Sequence, residues 1–79
     1  MNPNHKEIRE TSKWGTYGKS GREPLKLLLI KDIHDDHLAN IIPFIQRNID
    51  HYGQDILNVM IDEQEYRRTK KIRVPFKFG

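Results

Sequence analysis

The 79 residues include no cysteine, which excludes disulfides and every zinc site built on thiolates. No apolar run approaches the roughly 18 residues that a membrane span needs. Residues 1–6 have no apolar segment behind them, so a signal peptide is not expected there. Acidic residues stop at Glu65, and between Asp32 and Glu65 Arg47 is the one Lys or Arg. These gaps make the charge uneven. Residues 1–31 carry a net +4, residues 32–65 a net −7 and residues 66–79 a net +6. An acidic middle between basic ends can be satisfied inside one molecule or can face two partners. A chain this short is one domain with a small core, worth about 3–5 kcal/mol net. The default expectation is a soluble intracellular protein.

What is present reads as a small α+β domain over residues 13–71, with a flexible arm at 1–12 and an extended tail at 72–79. The arm holds a single large apolar residue, Ile8, and reads as disordered or as one short helical turn. Trp14 precedes a glycine-rich stretch, and Leu25-Lys26-Leu27-Leu28-Leu29-Ile30-Lys31 follows a proline. Together they predict a β-hairpin with strands at 13–17 and 25–31 and a loop at 18–23. Leu38, Ile41, Ile42, Ile45, Ile49 and Tyr52 then recur on a 3.6-residue period. That stripe predicts a helix capped by Asp35, supported at its start by Asp36 and ended at Gly53. Pro43 falls inside it and predicts a kink. Leu57, Val59 and Ile61 alternate as a strand would, but the Glu/Gln/Arg-rich continuation predicts a second helix from near Gln54 through Thr69, with Glu63 and Arg67 as an i,i+4 pair. The tail alternates Ile72, Val74, Phe76 and Phe78 with polar residues or Pro75, as an edge strand or an extended arm would.

Three groupings invite a chemical reading. Asp32, His34, Asp35, Asp36 and His37 place five ligand-type side chains within six residues, and Asp32, His34 and His37 could support a metal-dependent hydrolase or nuclease. Helix capping and a solvated polar face account for the same residues without a metal, and no metal or cofactor is expected. His37 could equally pack near Trp14 or donate to Asp32. Gly18-Lys19-Ser20 suggests a phosphate loop, but Lys13 stands where that pattern needs its first glycine. The basic end is the most suggestive: Arg67, Arg68, Lys70, Lys71, Arg73 and Lys77 interleave with Tyr66, Phe76 and Phe78. Such a segment can neutralise phosphates while aromatics stack on bases, or dock on a protein in extended form. Cations there also suit a helix C-terminus. No serine, histidine and acid line up as a nucleophile set, so an enzyme is not expected.

The pattern Asp32-Ile33-x-Asp35-x-His37-Leu38-x-Asn40-x-Ile42, closing on Ile45-Gln46-Arg47, resembles a family of small bacteriophage and prophage proteins. Its members typically read W-x-n-G-[KR]-x-I-x-I-x-D-M-x-D-x-H-L-x-N-x-I with an [IL]-[EQ]-R close. Trp14, Gly21-Arg22, Asp32, Asp35, His37, Leu38, Asn40 and Arg47 match it, over roughly residues 14–47. Ile33 stands where the pattern has Met, the loop after Trp14 is longer, and the basic tail lies outside the pattern. The resemblance implies an accessory protein acting in the cytoplasm of an infected bacterium, with no established catalytic site. The expected function is therefore non-enzymatic binding of a host or defence protein. Nucleic-acid binding through the tail is the alternative. No membrane partner is expected, and a homodimer is compatible with so small a core.

Overall fold

The computed structural model describes residues 1–16, 22 and 24–75. Its elements run α1 (His5–Thr11), β1 (Lys13–Thr16), β2 (Lys26–Leu29), a 3-10 turn (Ile30–Asp32), α2 (Asp35–Arg47), α3 (Ile49–Tyr52) and α4 (Gln54–Lys70). The expected α+β fold is the one observed: an antiparallel hairpin against helices.

In the hairpin, Trp14 lies opposite Leu28 and Gly15 opposite Leu27. Because side chains alternate across a strand, Trp14 and Leu28 pack against the core while Leu27 stays outside. The second strand ends at Leu29, two residues earlier than its leucine run suggested. Ile30 N–H still donates to Ser12 O at 3.0 Å, and the chain then tightens into the 3-10 turn that buries Ile30. Ile33 follows it into the core. Tyr17 and most of the expected loop lie outside the described residues.

The apolar stripe buries Leu38, Ile41 and Ile45 on α2, with Ile42, Ile49 and Tyr52 packed around them. Leu57 and Met60 of α4 close the core from the other side. Two expectations about this region are corrected. Asp35 is the first helical residue and His34 occupies the cap position. The single helix expected to reach Gly53 is interrupted at Asn48; Pro43 lies inside α2, which continues four residues past it to Arg47. Asn48 makes the break by turning its amide back: Nδ2 donates to Phe44 O at 2.8 Å, in competition with the helical ladder. Gly53 separates α3 from α4 at φ 87°, ψ 161°, a region essentially restricted to glycine.

The arm expected at residues 1–12 is replaced by α1, which packs on the 3-10 turn and on α4. Its inward face is polar, consisting of His5 and Arg9. At the other end, α4 stops in a Schellman turn. Lys71 adopts the left-handed conformation, φ 57° and ψ 41°, and Ile72 N–H donates to Arg67 O at 2.9 Å. Residues 72–75 then run back to the start of α2 and join no sheet.

Candidate functional site

Glu63 is fully buried, and a buried carboxylate needs compensating donors. The i,i+4 spacing on α4 places Arg67 beside it, and Arg67 Nε donates to Glu63 Oε2 at 2.6 Å. From α1, Arg9 Nε donates to Oε1 at 2.9 Å and Nη2 to Oε2 at 3.0 Å, the bidentate fork that a guanidinium suits. His5 Nε2–H donates to Oε1 at 2.9 Å, one helical turn before Arg9. Burial pushes the Glu63 carboxyl up, but the hydrogen bonds from Arg9, Arg67 and His5 outweigh it and hold the group below its ordinary value. The same hydrogen bond to Glu63 raises Arg9 against the opposing effect of its own burial. Tyr66 lies under this cluster, with the Arg9 guanidinium 4.7 Å from its ring centre and the His5 ring 5.6 Å away.

Arg67 links the cluster to three further pieces of chain. Its Nη1 donates to Asp35 Oδ1 at 2.8 Å and its Nη2 to Ile30 O at 3.0 Å. Asp35 in turn holds the tail: Val74 N–H donates to Asp35 Oδ2 at 3.1 Å, and Asp35 N–H donates to Val74 O at 2.9 Å. One side chain, Arg67, therefore connects α4 to the 3-10 turn and to α2, and through Asp35 to the tail. His5 Nδ1 is buried and has no hydrogen-bond partner among the described residues.

Outside this hub, Asp35, Arg67, Arg68, Lys71, Ile72 and Arg73 line a surface recess of about 460 Å³. Arg68 is largely exposed and pairs with Glu65, while Lys70, Lys71 and Arg73 are exposed.

The basic residues singled out in the sequence thus divide. Arg67 is an interior residue with every polar nitrogen committed, and Tyr66 is held under Arg9 and His5. Arg68, Lys70, Lys71 and Arg73 form the exposed set. Phe76, Lys77 and Phe78 lie outside the described residues. Among the described residues no group of three or more His, Asp or Glu side chains is placed to hold a metal ion, so Asp32, His34 and His37 do not form the ligand set their proximity suggested. Asp32 is exposed and His37 half-buried. Desolvation, with the charge of His34 nearby, keeps the His37 imidazole below its ordinary pKa. Trp14 is packed on Tyr52, ring centres 5.6 Å apart. Of the other pattern residues, Leu38 is in the core, whereas Asn40 and Arg47 are exposed.

His5, Arg9 and Glu63 were missed as a cluster. Two i,i+4 pairs, the basic His5/Arg9 on one helix and the oppositely charged Glu63/Arg67 on another, were the available signal. No protein-family model, curated protein or solved structure matches the chain. No helix among the described residues is long and apolar enough to cross a membrane.

Proposed function

We propose that this chain is a small non-enzymatic accessory protein of the phage type, acting by binding a protein of the bacterial host or of its defence systems. The observation that carries the reading is the outer face of the hairpin. Leu25 and Leu27 are 56% and 59% exposed. A methyl group added at Gly15 would come 3.2 Å from Leu25 Cδ1 and 3.5 Å from Leu27 Cδ2, so both leucines lie over that glycine as one apolar patch. Such a patch, on a sheet that has two strands among the described residues and outer edges unpaired by them, suits docking on another protein. The ionic hub supports the non-enzymatic part, because both oxygens of Glu63 already serve three fold-holding donors.

The test is capture from bacterial lysate at moderate salt by the full chain and by Leu25→Ser/Leu27→Ser, with circular dichroism confirming equal helicity. A discrete protein retained by the first and lost by the second, whose activity changes on adding the chain, is the expected result. Equal capture by both, or no specific capture, removes the reading. Sedimentation in parallel separates a foreign partner from self-association through the same leucines.

A further inference from the structure

The recess at the end of α4 is a second surface, independent of the hairpin face. Its lining holds four cationic side chains and one carboxylate. Both oxygens of that carboxylate, Asp35, are occupied inside the fold, by Arg67 and by Val74 N–H. Arg67 is likewise consumed, so the charge the recess offers to solvent comes from Arg68, Lys71 and Arg73. Glu65 is the one acid paired with any of these three among the described residues. Like charges gathered around a concavity focus a positive potential there.

A second observation concerns the backbone. Lys71 is the one non-glycine residue at positive φ among the described residues. Its position in the turn is where glycine is ordinarily found, since a side chain in this conformation is disfavoured. The molecule keeps a strained lysine on the rim of the recess, where glycine would serve the fold better. Strain of this kind is concentrated at binding sites.

From the recess and this lysine together we infer that Arg68, Lys71 and Arg73 form a binding site for the phosphate backbone of a single-stranded nucleic acid. The stretch 66–79 carries no acid, and the exposed Lys70, adjoining Lys71 in sequence, adds to the same polarity. A phosphate backbone matches that layout as a uniform polyanion, and a strand without a partner lets successive phosphates follow an irregular surface.

The site and the fold make opposite demands on position 71, and this makes the inference testable. Fluorescence anisotropy with a labelled 20-nucleotide single strand, on the full chain, measures affinity from 50 to 200 mM salt. Three phosphate contacts give a slope of log affinity against log salt of about −2, hence a loss of roughly 20-fold across that range. Lys71→Gly is expected to raise the melting temperature by roughly 4 °C or more while making the slope shallower by about 0.7. Arg73→Gln should give the same change of slope with an unchanged melting temperature. Lys6→Gln, an exposed charge on α1, should change neither. The inference is overturned by an absence of binding at 50 mM salt, or by wild-type affinity in both Lys71→Gly and Arg73→Gln. It is equally overturned by an effect of Lys6→Gln as large as theirs, or by polyglutamate binding as tightly as the oligonucleotide.

Discussion

Two ionisable clusters divide the chemistry of this chain. The first, Asp32 to His37, is contiguous in sequence and gathers no metal-binding group of three among the described residues. Its members sit on a 3-10 turn, a cap and the first turn of α2, and their side chains assemble no common site. The second, His5, Arg9, Asp35, Glu63 and Arg67, is scattered from α1 to α4 and converges on hydrogen bonds of 2.6–3.0 Å. Asp35 alone belongs to both. Adjacency along the chain is a poor guide to convergence at a helix start, because successive side chains there diverge by about 100° per residue. Convergence came instead from pairs one turn apart on two packed helices.

Removing the centre of the second cluster should have the largest effect. Glu63→Ala leaves Arg9 and Arg67 buried without their anion and should cost about 3–5 kcal/mol, read by urea unfolding. A loss below about 1 kcal/mol would show that the convergence contributes little. Arg9→Ala tests whether α1 belongs to the fold: losing a bidentate charged contact should cost about 1.5–3 kcal/mol, whereas an unattached arm would lose nothing. Asp35→Asn and Asp36→Asn compare neighbours that differ only in cluster membership. The first should cost on the order of 1 kcal/mol, discounted because the side chain is 43% exposed, and the second should stay within about 0.5 kcal/mol. An equal cost for both would erase the distinction.

The smallest effect concerns pH. The Glu63 carboxyl is lowered on folding, so its stabilisation is complete above the unfolded carboxylate pKa and is lost as pH falls through the folded value. His37 is also lowered, from 6.5. The unfolded imidazole takes a proton first, and stability therefore declines as pH drops below 6.5 until the folded ring protonates too. Melting temperatures should fall in two stages on acidification. His37→Gln should flatten the upper stage only, and Glu63→Gln the lower; a single stage that survives both changes contradicts the assignment.

The apolar period made α2 legible in the sequence, the Glu/Gln/Arg-rich continuation through Thr69 made α4 legible, and the glycine-rich stretch between Trp14 and the leucine run made the hairpin so. What stayed hidden was polar. Helix α1 has one partly buried apolar residue, Ile8, and turns His5 and Arg9 inward, a pattern that hydrophobic periodicity does not register. The place of Arg67 stayed hidden for a related reason. Six cations looked like one surface, yet Arg67 belongs to the interior because it lies one turn beyond Glu63. The interruption at Asn48 depends on a side-chain amide outcompeting the next helical hydrogen bond, which composition alone does not disclose.

The hub also sets a timetable for the newborn protein. His5 and Arg9 are synthesised early, but their common partner Glu63 lies 58 and 54 residues downstream. At elongation rates of about 5–20 residues per second, α1 therefore waits roughly 3–12 s for the carboxylate that fixes it. Val74, which closes on Asp35, comes later still. Helix α1 is thus held back until α4 has been translated, and its folding is completed from a distant segment.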